Sequence, residues 1–168
     1  AELLAALAEL EDTGLIFTLP NADTEGRSLI RLVEQFVVDH DNARVYASLG
    51  QRRYLSCIAQ VDGVVGNSSS GLTEVPSFGK GTINIGDRQR GRLQAASVIT
   101  CAPERAAIAT ALNRLFSPGF RASLSEVMNP YGEGGASEKV VQVIRTFPLG
   151  GTTKKAFYDQ PLFEAERE

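Results

Sequence analysis

Short apolar runs alternate with longer amphipathic stretches along most of this chain. Residues 15–19, 45–49, 61–66, 82–85 and 97–100 are brief runs rich in apolar and β-branched residues, most of them flanked on at least one side by Gly, Pro or Asn, which is how buried strands read. Between them the period lengthens. Residues 25–39 set Leu29, Val33, Phe36 and Val37 on one helical face, and 51–60 do the same with Tyr54, Leu55 and Ile58. A third helix over 104–116 carries Ile108, Ala111, Leu112 and Leu115, and a last one covers 137–147. Such alternation predicts an α/β fold, a Rossmann-like parallel sheet with helices on both faces. The run Val61-Asp-Gly-Val-Val-Gly66 shows no polar alternation, as suits a strand covered on both sides.

That run ends in a polar turn, Asn67-Ser-Ser-Ser-Gly71, which opens a short helix that Pro76 should bend or stop. Hydroxyls and unpaired backbone N–H groups at a helix start form an anion site, with a phosphate as the natural occupant. Ser68 and Ser69 are its candidate ligands, and Gly66 and Gly71 suit close approach of backbone to a ligand. Glu74, one turn beyond Ser70, can accept from a vicinal diol or serve as a partner for the helix dipole. Arg88 follows the run 82–85, at the strand end where open α/β sheets bind ligands. Asn21, after Pro20, is either a turn former or a residue facing the ligand, with Asp23 and Arg27 beside it. His40, in Asp39-His-Asp-Asn42, reads as a surface histidine after a helix.

The same segments carry a resemblance. Gly66-Asn-Ser-Ser-Ser-Gly-Leu-Thr-Glu-Val-Pro-Ser-Phe-Gly79 and Thr82-Ile-Asn-Ile-Gly-Asp-Arg-Gln-Arg-Gly-Arg92 are similar to the UDP-N-acetylglucosamine 2-epimerase family, nearest its hydrolysing branch. The likeness extends to Phe17-Thr-Leu-Pro-Asn-Ala-Asp23, Ser48-Leu-Gly-Gln-Arg-Arg-Tyr54 and Asn129-Pro-Tyr-Gly-Glu-Gly134, in the family's order. It implies the C-terminal half of a two-domain GT-B fold, with the UDP-binding domain over 1–147 and a tail over 148–168 packing toward a missing N-terminal domain. It also implies roles: Ser68 and Ser69 at the diphosphate, Glu74 at the ribose hydroxyls, Asn21 facing the nucleotide and Arg88 in the catalytic cleft. UDP and a UDP-amino-sugar are then the partners, without cofactor or metal. The family's essential histidine and its acid and base carboxylates would lie upstream of Ala1, so the chain by itself should be inactive. Other readings are the nucleotide half of a GT-B glycosyltransferase and a non-catalytic nucleotide-sugar-binding module.

Composition narrows this little further. The 168 residues carry a net charge of −3, which argues against a nucleic-acid partner despite Arg88, Arg90 and Arg92. There is neither a signal-like start nor a twenty-residue apolar run, so no membrane partner is expected and the default compartment is the cytoplasm. Cys57 and Cys101 read as ordinary reduced thiols. A homo-oligomer is compatible with the sequence. The opening stretch, Ala1 to Leu10, has a helical pattern with neither cap nor preceding strand, as expected of a chain with further sequence upstream.

Overall fold

The computed structural model describes residues 1–19 and 26–148. The chain divides into two compact units, residues 1–133 and 134–168. In the first unit, α1 (Glu2–Leu7), β1 (Leu15–Thr18), α2 (Gly26–Asp39), β2 (Ala43–Tyr46), α3 (Gly50–Gln60) and β3 (Gly63–Gly66) follow in order. Then come α4 (Ser70–Thr73), a 3-10 turn (Val75–Phe78), β4 (Gly81–Ile85), β5 (Val98–Cys101), α5 (Arg105–Phe116) and α6 (Pro118–Ser123). The described part of the second unit holds one helix, α7 (Ala136–Thr146), with Val140, Val143 and Ile144 on one stripe.

Every strand pairing is parallel, as the alternation of elements predicts. Among the described residues the strands form two hydrogen-bonded groups: β1 with β2, and β3-β4-β5 with β4 in the middle. This changes the setting of β3. Its apolar, unalternating sequence predicts burial on both faces, yet β3 is an edge strand of intermediate burial, while Gly81, Thr82, Ile83 and Asn84 of β4 are all buried. The strand expected at 45–49 is also displaced, to Ala43–Tyr46, because Ala43 rather than Leu49 supplies the fully buried position.

Period-two alternation along β4 assigns its two faces. Ile83 joins the apolar core with Ile99 of β5 and Ile108, Ala111, Leu112 and Leu115 of α5. Thr82 and Asn84 face the other way; the Thr82 hydroxyl donates to the carbonyl of Gly71 in α4 at 2.8 Å. Helices α4 and α5 thus cover opposite faces of β4. The core continues through Ala6 and Leu7 of α1 to Phe36 of α2, whose ring meets Phe17 of β1 edge-on at 5.6 Å. His40 is more than a surface residue. Its ring stacks on Phe36 at 3.9 Å, and its Nδ1 lies 2.8 Å from the Phe36 carbonyl, so Nδ1 carries the proton that caps the helix end. Cys57 and Cys101 are free thiols, and burial pushes that of Cys101 up.

Two glycines set the spacing between sheet and helix. Gly63 and Gly81 are register partners on β3 and β4. A Cβ at Gly81 would come 2.4 Å from Cδ1 of Leu115 and 2.8 Å from Cε1 of Phe120. The pair opens a slot into which α5 and α6 insert these two buried side chains. Helix α6, which the hydrophobic periodicity does not announce, is fixed by Pro118 in its first turn and by Ser117, whose hydroxyl accepts from the Phe120 N–H. Gly81→Ala should therefore destabilise the protein by about 1–3 kcal/mol through overpacking. Gly14→Ala, where an added Cβ meets nothing within 4 Å, should stay within about 0.5 kcal/mol of the parent in the same urea titration.

Candidate functional site

The turn after β3 starts from Gly66, whose φ of +153° favours glycine. A Cβ there would meet no protein atom within 4 Å, so within the protein it is turn geometry, not packing, that calls for this glycine. Gly71 has a different reason. A Cβ on it would lie 2.6 Å from Cγ2 of Thr82, so its lack of a side chain lets α4 settle on β4.

The serines do not cap the helix as the sequence suggests. Ser69 occupies the N-cap position with φ −61° and ψ −25° and makes no side-chain cap bond, because a cap side chain reaches inward only from a more extended backbone. The Ser68 hydroxyl accepts instead from the Ser70 N–H at 3.4 Å, and the Ser70 hydroxyl lies 2.6 Å from that of Tyr54 on α3. Among the described residues, the backbone N–H groups of Asn67, Ser68 and Ser69 have no acceptor. Since α4 spans four residues, its macrodipole is slight. What this turn can offer an anion is thus these loop donors more than helix charge.

Glu74 stands at the far end of α4, where it is the C-cap of that helix and the residue before the 3-10 turn. It is half-buried, and its backbone N–H donates to the Ser70 carbonyl at 2.9 Å. A carboxylate at a helix C-terminus gains nothing from that helix's dipole, so the dipole reading fails for α4. Its side chain has no ion-pair or hydrogen-bond partner among the described residues, and its acceptor capacity is open.

Beyond β4 the chain turns at Gly86, with φ +77°, and folds back on itself through a hydrogen bond from the Arg90 N–H to the Asp87 carbonyl at 2.8 Å. Arg88 is exposed, and its Nη1 donates to Oδ1 of Asn67 at 3.3 Å. The structure therefore brings Arg88 to the serine turn. Among the described residues it is paired with no carboxylate, so its charge is unneutralised. Arg90 and Arg92 are exposed as well. Asn21 and Asp23 lie outside the described residues, and Arg27 sits in the first turn of α2. At the end of β2, Ser48 accepts from the Gly50 N–H at 3.2 Å.

Three residues that the sequence does not single out complete the surroundings. Gln89 is 3% exposed, and its Nε2 donates to the Asn67 carbonyl at 2.7 Å. Its only signal is a place between two exposed arginines, which the charge of the run conceals. Asn84, on the α4 side of β4, donates to Thr100 at 3.4 Å, and Thr100 in turn donates to Gln94 at 3.2 Å. Asn129 donates to the Thr73 carbonyl at 2.9 Å and to the Ser77 hydroxyl at 2.7 Å, which ties its segment to the end of α4. Among the described residues, no group of three or more His, Cys, Asp or Glu is placed to hold a metal ion.

Residues 1–145 match the family model described as UDP-N-acetylglucosamine 2-epimerase. Over 162 residues, 95% of this chain and 41% of the other, the sequence is 38% identical to the polysialic acid biosynthesis protein P7 of Escherichia coli. It is 38% identical over 131 residues to the hydrolysing UDP-N,N'-diacetylbacillosamine 2-epimerase of Legionella pneumophila, covering 77% of this chain and 33% of that one. The chain thus spans about two fifths of the length of these relatives or less. Among solved structures, the S. aureus MnaA–UDP co-structure superposes with a TM-score of 0.69 at 19% identity, over 86% of this chain and 39% of that one. The shared fold is the Rossmann-like half of the GT-B architecture.

The Gly71–Thr82 contact gives a direct test of how the turn is held. Gly71→Ala should cost about 1–3 kcal/mol, since Thr82 is short, β-branched and buried and cannot swing aside. Adding Thr82→Ser removes the clashing methyl but keeps the hydroxyl that bonds the residue 71 carbonyl. The double variant should recover most of the loss, measured as the non-additive term of a double-mutant cycle.

Proposed function

The chain belongs to the UDP-N-acetylglucosamine 2-epimerase family, and on that premise we propose that it is the UDP-binding half of a hydrolysing 2-epimerase. The full-length enzyme would take a UDP-activated 2-acetamido sugar. Loss of the C2 proton and cleavage of the C1–O bond, with the bonding pair leaving on the diphosphate, give UDP and a C1–C2 glycal. Addition of water then places hydroxyl on C1 and a proton on C2 from the opposite face, releasing the 2-epimer. These steps call for proton transfer and leaving-group stabilisation. The groups that move protons are assigned to the part of the relatives that this chain does not span. The cytoplasm is the proposed compartment; no helix among the described residues is long and apolar enough to cross a membrane.

The observation that carries the proposal is the meeting of Arg88 with Asn67 at 3.3 Å. It sets an unneutralised guanidinium beside a turn whose N–H groups at Asn67, Ser68 and Ser69 lack acceptors among the described residues. A diphosphate supplies the oxygens for both. Ser68 and Ser69 would add their hydroxyls, and Glu74, half-buried with its acceptors open, would accept from the ribose diol. Asn21 would face the nucleotide. As the C1–O bond breaks, negative charge grows on the departing phosphate, and the planar fork of Arg88 can grip two oxygens where an ammonium grips one. Free sugar with UDP as the products of the full-length protein supports hydrolysis; a glycoside formed on an acceptor overturns it in favour of a glycosyltransferase.

Two substitutions in the full-length protein separate binding from chemistry. Glu74→Gln should weaken UDP binding by about 1–3 kcal/mol in calorimetry, with pyrophosphate binding unchanged. Equal losses for both ligands would remove Glu74 from the ribose. Arg88→Lys should lower kcat together with kcat/KM, by about ten- to a thousandfold. Arg90→Lys, on the same exposed loop, should leave kcat within about twofold, and equal damage from both would make Arg88 a general loop charge.

A further inference from the structure

We propose that Gln89 is a positioning residue: by holding the Asn67 carbonyl it aims the Ser68 N–H at the diphosphate of the bound sugar nucleotide. The inference rests on the UDP-site reading above and adds to it a residue that touches no substrate.

The argument begins with the peptide plane. The chain contains no cis peptide bonds among the described residues, so the Asn67 C=O and the Ser68 N–H belong to one trans unit and point in opposite directions. Fixing the carbonyl therefore fixes the donor. Gln89 does so from 22 residues away in sequence, with Nε2 2.7 Å from the Asn67 oxygen. A carbonyl accepts only, so the amide nitrogen of Gln89 must face it, and the side-chain orientation follows from chemistry. With the carbonyl drawn toward the buried Gln89, the Ser68 N–H points away from it, and that N–H has no acceptor among the described residues.

The surroundings make Gln89 a fixed strut. It is 3% exposed, although Asp87, Arg88 and Arg90 around it are exposed or nearly so. Its neighbour Arg88 bonds the other polar end of the same residue, Oδ1 of Asn67. Adjacent residues of the β4 loop thus hold the backbone and the side chain of Asn67 together. Gly66, just before it, has no Cβ and adopts a φ of +153°, so sterics hold the backbone there less than at any other residue type. Without the Gln89 bond the 66–68 backbone could rotate, and the Ser68 donor would lose its aim before substrate arrives.

The test uses the full-length protein with UDP and uridine as ligands in calorimetry, and Gln89→Met and Gln89→Glu as variants. At about pH 8 a carboxylate at position 89 faces the Asn67 carbonyl acceptor to acceptor, so both variants should bind UDP about tenfold more weakly. Uridine, which has no phosphate, should bind all three proteins alike. A buried carboxyl titrates above the usual carboxylate range. On lowering the pH to about 5, the Gln89→Glu side chain gains a proton, can donate again, and should regain most of its affinity relative to wild type at that pH. Gln89→Met should regain none. A pH-independent deficit in Gln89→Glu, unchanged UDP affinity in either variant, or an equal loss of uridine binding would each overturn the proposal. If Gln89→Met does not fold, the Gln89→Glu comparison across pH decides the matter by itself. Wild-type protein that binds UDP no better than uridine would fail the diphosphate reading itself, a result distinct from wild-type affinity that Gln89 substitutions leave unmoved.

Discussion

The contact of α4 with β4 is the constraint on which the arrangement depends. Thr82 is buried in a central strand, and its hydroxyl reaches the Gly71 carbonyl at 2.8 Å because residue 71 has no Cβ to hold the backbones apart. That single approach fixes where the serine turn stands relative to the end of β4. Everything beyond the strand then has short distances to span. Arg88 and Gln89 reach Asn67, Tyr54 reaches Ser70, and Asn129 reaches Thr73. The largest apolar cluster lies on the opposite face of β4, through Ile83 and α5, while on the α4 side the buried Leu72 and Val75 share their surroundings with the polar Thr82 and Asn84. Such a division suits a site in which groups from several loops must keep their geometry while little of the chain's stability rests on them.

Much of this is legible in the sequence, and the failures have physical causes. Parallel pairing follows from alternation of short apolar runs with helical periods, and α2, α3, α5 and α7 fall within a residue or two of where those periods place them. Helix α6 is hidden because six residues are too few to show a period; its proline and serine cap are the only marks. The serine turn is evident from residue type but its lack of capping is not, since residue type does not reveal the dihedrals of Ser69. Gln89 is inconspicuous because a residue flanked by arginines has the composition of a solvated loop. Burial of a polar side chain is decided by what lies across from it, here a carbonyl 22 residues earlier in the chain.

The site's chemistry and its electrostatics point the same way. Few of the ion pairs that usually absorb surface charge occur near it: the pairs among the described residues are Arg105 with Glu9 and Arg121 with Asp62. Both are exposed, and neither includes a residue of the serine turn or of the Arg88 loop. The basic loop keeps its charge, and the carboxylate of Glu74 keeps its acceptors. A mildly acidic chain thereby retains a locally cationic rim, which matters more to an anionic ligand than net charge does.

The division of the strands has a consequence for pairing with other segments. Among the described residues, both β1 and β3 have a partner on one side and an open edge on the other, and both are apolar in composition, with Ile16 half exposed. An open parallel edge offers a ready-made row of donors and acceptors to any extended segment in solution, and neither strand carries the lysine, proline or bulge that usually discourages such pairing. A segment that added to β1 or β3 would pair through backbone groups alone, whatever its side chains and whether or not nucleotide is bound.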